Sequence, residues 1–257
     1  MRQLSYATAA DPAVAEGWVF GSGAVGELDE WSDLDVALVV PADDVARVAN
    51  PAWLSVLGPV WTYQTFPRER GSGIRAAFAD GRLVDLIAVT DRDAIPPERR
   101  RLDCDLPEDG RASAAVPLPV GYGSEGDRPA VLGGVDLPSL VHEFRFMAAL
   151  AVRKCGRDDL LIGGHLALEL PRQCLVVAML LRDRDAGSAH HRFGGPWNDV
   201  LDQAFDLIPE LTSGRDGVLD LVDASAGLFD ELAGKLWPAY EPDWSGLTAL
   251  LDRARAS

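Results

Sequence analysis

Asp33 and Asp35 stand one residue apart at the head of an apolar run, Val36-Ala37-Leu38-Val39-Val40. In an extended segment side chains alternate between faces, so the two carboxylates point one way while Leu34 and Val36 point the other. Two acids held side by side repel each other and lose hydration unless a cation lies between them. A divalent cation meets that need, and Mg²⁺ is a hard ion normally shared between carboxylates and substrate phosphates. About ten residues upstream lies Gly21-Ser22, after Val19-Phe20. Glycine lets backbone approach a ligand closely, exposed N–H groups form an anion-binding concavity, and the serine hydroxyl adds a donor. The chemistry implied is that of a metal-bound phosphate.

Gly21-Ser22 followed by Glu30-Trp31-Ser32-Asp33-Leu34-Asp35 resembles the signature of the nucleotidyltransferase superfamily related to DNA polymerase beta. Within it, the chain is similar to the small antibiotic nucleotidyltransferases that modify aminoglycosides or lincosamides. The resemblance implies that Asp33 and Asp35 hold the metal, with Gly21 and Ser22 at the phosphates of a nucleotide. It also implies a third acid on a neighbouring strand.

Asp85 is the candidate. Ile74–Ala79, then Asp80-Gly81, then Arg82–Val89 reads as a hairpin, since Asp-Gly between apolar runs is a strong turn signal. Asp85 is the one acid in the second strand, among Val84, Leu86, Ile87 and Val89. An ionised carboxylate in such a run is costly unless paired or metal-bound. In the antibiotic-modifying relatives the third acid is often a glutamate that activates the acceptor hydroxyl. The shorter aspartate leaves base, metal ligand, or both, open.

These groups need a scaffold, and 257 residues suffice for one large or two small domains with a substantial core. Residues 1–93 are expected to form an α+β nucleotidyltransferase domain, a short mixed sheet with flanking helices. Its elements would be a helix near Pro12–Gly17, strands at Val19-Phe20, Asp33–Val40 and Gly58–Phe66, a helix over Asp43–Val56, and the hairpin. Residues 94–138 are a Pro/Gly-rich connection with Pro96, Pro97, Pro107, Pro117, Pro119, Pro129 and Pro138, read as linker plus irregular strand. Residues 139–257 are expected to be a helical bundle domain. Leu140, Val141, Phe144, Met147, Ala148 and Ala151 recur at helical spacing,. A run over Leu160–Leu181 follows Asp158-Asp159, with a kink or split at Pro171. Further helices fall near Trp197–Phe205, Leu219–Lys235 and Trp244–Ala254.

Composition narrows the partners. A net charge of −16 argues against a nucleic-acid backbone, which needs clustered basic residues. It favours a cationic acceptor drawn to an acidic cleft. Cys104, Cys155 and Cys174 have no metal-ligand spacing and read as reduced thiols in a cytoplasmic protein. No basic-then-apolar leader is visible, and no stretch of about 18 apolar residues stands out as a bilayer span.

Of the 24 lysines and arginines only Lys154 and Lys235 are lysines. A lysine kept among so many arginines suits a compact charge for a triphosphate, although a helix C-terminus also favours one. Glu143 lies eleven residues before Lys154, about three turns, so both share a helix face; Glu143 is the candidate for the acceptor. Arg75 could reach a nucleotide, and Trp31 or Trp197 could wall a pocket or fill the core. His190, His191 and Arg192 lack the further ligands of a zinc site.

The expected activity is Mg²⁺-dependent transfer, with two ions, of a nucleoside monophosphate from ATP or another nucleotide to a hydroxyl of an aminoglycoside-type molecule. A lincosamide is the alternative acceptor. A nucleotidyltransferase-type antitoxin acting on a protein partner, or a silent binding protein, are the readings from other classes. Monomer and homodimer are both compatible with the sequence.

Overall fold

The computed structural model describes residues 2–102, 131–132, 135–187, 195–207 and 214–257. The chain falls into two compact units, Met1–Ser124 and Glu125–Ser257. In the first, α1 (Arg2–Ala10), β1 (Glu16–Phe20), α2 (Ser22–Val25) and β2 (Leu34–Val39) are followed by α3 (Val45–Val48) and α4 (Pro51–Leu54). Strands β3 (Val60–Arg68), β4 (Gly71–Phe78), β5 (Leu83–Val89) and β6 (Arg99–Arg101) complete it.

The six strands form one sheet in the order β3-β4-β5-β2-β1-β6. The β2–β5 pairing is parallel and the others are antiparallel, so the sheet is mixed, as expected. Arg99–Arg101, from the segment read as a connection, supply its edge strand beside β1. Alternation along the strands makes two faces. Val36, Leu38, Ile74, Ala76, Val84, Leu86 and Ala88 pack on one face with Leu4 of α1, Val48 of α3 and Trp53 and Leu54 of α4. Ala37, Ile87 and Val89 pack on the other with Ile95, Trp18, Phe20 and Phe66.

Two local expectations are corrected. The first helix is Arg2–Ala10, not Pro12–Gly17, because Asp11 ends it: its carboxylate accepts from Ala13 N at 3.1 Å, Arg47 Nη1 at 2.9 Å and Trp53 Nε1 at 2.8 Å. Those bonds hold the Asp11 carboxyl below its usual range against the opposing effect of burial. The helix expected over Asp43–Val56 is broken at Asn50. A residue before proline is pushed out of the helical region; Asn50 is extended (φ −137°) and caps α4 through a bond from Ala52 N at 2.9 Å.

In the second unit β7 (Val131–Leu132) and β8 (Val135–Asp136) pair as a small hairpin. Helices α5 (Leu137–Gly156), α6 (Leu160–Ala186), α7 (Asp199–Asp206), α8 (Arg215–Leu236) and α9 (Ser245–Ala256) follow, bearing out the C-terminal helical region. Asp136 caps α5 and Asp159 caps α6, each carboxylate accepting an amide three residues on,. Phe144 of α5 stacks on Phe229 of α8 with centroids 4.0 Å apart, and Trp244 meets both rings edge-on. Burying each such ring contributes about 1.5–3 kcal/mol.

α6 runs unbroken through the buried Pro171, so of the kink or split expected there the split does not occur. It is also long and apolar enough, by length and composition, to cross a membrane. Its buried side (Gly163, Ala167, Leu170, Cys174, Val177, Leu181) and the Glu169–Arg172 ion pair at 2.5 Å are those of a helix packed against α5, α7 and α8. Cys155 and Cys174 are free and buried, and burial pushes their thiols up to about 11 and about 12. Both are unreactive at neutral pH. Cys104 lies outside the described residues, as do His190, His191 and Arg192.

Candidate active site

The first unit gathers its three candidate acids from two adjacent strands and the residue leading into one of them. β2 and β5 run parallel with Asp35 directly beside Asp85. Asp33 lies just before β2, two residues from Asp35 and on the same side. One ligand oxygen from each of Asp33, Asp35 and Asp85 lies within 4.8 Å of the others, and all three residues are half-buried. The sheet face is the one opposite α1, α3 and α4: Val36 and Leu86 point towards those helices, and the acids flanking them point away.

Crowding has an electrostatic consequence. The Asp35 carboxyl is pushed up to about 7, first by desolvation, then by the negative charges of Asp33 and Asp85, with Arg75 opposing them. A group so placed gives up its proton less readily than an ordinary carboxylate, and a cation seated there would favour its ionised form.

Gly21 closes one side of this group. Its backbone sits at φ +59°, ψ −148°, a region reached almost only by glycine. A Cβ there would lie 2.2 Å from Asp35 Oδ2, so no other residue lets the turn pass so close to the carboxylate. Ser22 follows at the start of α2, half-buried. Gly21→Ala is therefore expected to destabilise the fold by about 1–3 kcal/mol from backbone strain alone, and to displace Asp35 as well. Urea denaturation checks the first effect, and unchanged stability would contradict the geometry.

The acidic connection before Asp33 is an ordered turn. Asp29 accepts from Trp31 N at 2.9 Å and from Ser32 Oγ at 2.8 Å, while Ser32 Oγ accepts from Asp29 N at 2.9 Å. This Asp-x-x-Ser clasp is a local capping pattern, built from side chains within four residues of one another,. Trp31 is buried, with 4% of its surface exposed, and so belongs to the core. Trp197 instead donates Nε1 to Asp185 at 3.0 Å and lies under Lys235.

Arg75 has a clearer place than the sequence offered. It stands opposite Asp85 in the β4–β5 pairing and donates Nε to Asp85 Oδ2 at 2.9 Å. Lys154 and Glu143 are both on α5, in the second unit. Lys154 Nζ is 3.5 Å from Asp159 Oδ2, and Glu143 is exposed.

No family model matches the chain, and no curated protein matches it. Among solved structures the chain is similar to an aminoglycoside 6-adenyltransferase from Bacillus subtilis, at 16% identity and a TM-score of 0.40. That alignment covers 100% of this chain and 98% of the other. The functional reading rests on the site's own residues.

The donor set suits a hard divalent cation. Three carboxylates offer oxygen ligands only, they converge within one ion's reach, and none is buried beyond contact with substrate,.

Proposed function

We propose that the chain is a nucleotidyltransferase that moves a nucleoside monophosphate, in the first instance AMP from ATP, to a hydroxyl of a small polycationic molecule. The convergence of Asp35 and Asp85 from two parallel strands, with Asp33 just before the first, beside the Gly21-Ser22 turn carries the reading. Asp33 and Asp35, with Asp85, would hold Mg²⁺, two ions in the full complex. Bound there, Mg²⁺ would neutralise charge on the phosphates and orient the attacking and leaving oxygens.

The remaining work falls to the chain's own groups. The Ser22 hydroxyl and the amides of the Gly21 turn donate to the β and γ phosphate oxygens. Asp85 completes the cation site or accepts the proton of the attacking hydroxyl, whose oxygen bonds to the α phosphorus as pyrophosphate departs.

The test is a screen of ATP and GTP against a panel of aminoglycosides and lincosamides, read by the mass of the product. A product heavier by one nucleoside monophosphate on an aminoglycoside supports the proposal. A lincosamide product moves the acceptor class. Labelling of protein instead of either small molecule would favour an antitoxin-like activity, and no transfer with any acceptor would overturn the reading.

Salt dependence separates the acceptor classes. With −16 net charge, a polycationic acceptor is held partly by long-range attraction, which is screened over ~8 Å at physiological salt. Raising salt at fixed magnesium is expected to increase the Michaelis constant of the acceptor more than that of the nucleotide. A flat acceptor response would exclude the polycation.

A further inference from the structure

Arg75 is built into the acidic site from the side opposite the Gly21 turn. Gln64, Arg75, Asp85 and Asp35 form one row across β3, β4, β5 and β2. Within it Arg75 Nε donates to Asp85 Oδ2 at 2.9 Å; the arginine side chain is 49% exposed and the aspartate 15%. The guanidinium does not stand alone. Its carbon lies 5.3 Å from the centroid of the Phe66 ring, within range of a cation–π attraction.

The ring is seated by a glycine. Phe66 is paired with Gly73 across β3 and β4, and a Cβ on Gly73 would lie 2.2 Å from the Phe66 ring. Any other residue at 73 would lift the ring off the sheet and move the support of Arg75. Gly73, Phe66, Arg75 and Asp85 thus form a chain of contacts ending at the acidic cluster.

We propose that Arg75 is a positioning residue: braced on Phe66, it fixes the Asp85 carboxylate and acts as a built-in counter-charge that weakens binding of a divalent cation by the three acids. The proposal rests on the divalent-cation reading of the site given above. Its physical content is that one positive charge beside the cluster repels an incoming doubly charged ion. Tight binding is then left to a cation that arrives with the nucleotide, whose phosphates supply the missing ligands.

The test uses Mn²⁺ as probe on the full chain without nucleotide, by calorimetry and by the electron paramagnetic resonance spectrum of the bound ion. Arg75→Gln is expected to bind Mn²⁺ about tenfold more tightly than the parent, a modest gain because the site is partly solvated. Arg75→Lys keeps the charge and loses the Nε geometry. It should bind Mn²⁺ within about threefold of the parent while the spectrum of the bound ion changes, because Asp85 is no longer held. Phe66→Leu should shift affinity in the direction of Arg75→Gln, but less. Circular dichroism checks that each variant is folded, and an unfolded Arg75→Gln leaves the decision to the other two.

Mn²⁺ affinity in Arg75→Gln equal to or weaker than that of the parent would overturn the assignment, as would an unchanged spectrum in Arg75→Lys. If the parent binds Mn²⁺ and Arg75→Gln does not differ, Arg75 alone is misassigned. If neither the parent nor Arg75→Gln binds Mn²⁺, the divalent-cation reading fails and the assignment falls with it. If Mn²⁺ binds as expected but no transfer is found, the Arg75 assignment stands and the catalytic proposal falls.

Discussion

Asp35→Asn is expected to abolish nucleotide transfer while leaving the metal-free protein at least as stable as the parent. Losing one carboxylate from a three-acid cation site forfeits several kcal/mol of charge stabilisation, roughly a 10³-fold drop in rate. Asp33→Asn should act in the same direction. Stability moves oppositely because the Asp35 carboxyl is held in a desolvated position among like charges and is pushed up to about 7. Between about pH 4 and pH 7 the folded chain keeps a proton there that the unfolded chain has released. The folded state therefore loses stability as pH rises through that window, the slope following the difference in bound protons. Melting curves without divalent metal should show the parent's midpoint falling from pH 5 to pH 8, with a flatter profile in Asp35→Asn. Adding Mg²⁺ at pH 8 should raise the midpoint of the parent, since a ligand that binds only the folded state stabilises it, and should do little for the variant. Substantial transfer by Asp35→Asn in magnesium would sink the assignment.

Asp85→Asn separates a proton acceptor from a metal ligand. If Asp85 acts mainly as base, the variant should bind Mg-nucleotide as the parent does and lose turnover by roughly 10²–10⁴-fold. If it acts mainly as ligand, nucleotide affinity in magnesium should fall as well. The row of contacts favours some loss of both, because the same carboxylate adjoins Asp35 on one side and Arg75 on the other. Calorimetry with Mg-ATP, beside turnover measured with the acceptor found in the product screen, distinguishes the cases. Unchanged turnover would exclude both roles.

Much of the site was readable before any coordinates. Asp33 and Asp35 share a face because a strand has a period of two, and that depends on adjacent residues only. Asp80-Gly81 marked the hairpin for the same reason, and β4 and β5 flank it as expected. Helical periodicity placed α5, α8 and α9 to within a few residues. Local signals were misread where a single residue overrides periodicity. Asn50 before Pro51 broke a helix that looked continuous, and Asp11 ended one that had been placed too late. At Pro171, where a kink or split was expected, the helix does not split.

By itself, then, the sequence determined the strand carrying Asp35 with Asp33 at its entry, the hairpin carrying Asp85, and the α+β class of the chain, since all three follow from short-range spacing and turn chemistry. Only the tertiary structure decided that β2 and β5 pair in parallel with Asp35 beside Asp85, that Gly21 passes within a methyl group's reach of Asp35, and that Arg75 rests on Phe66 against Asp85. Each of these joins residues remote in sequence across strands, and register between strands is set by which faces the whole sheet must bury.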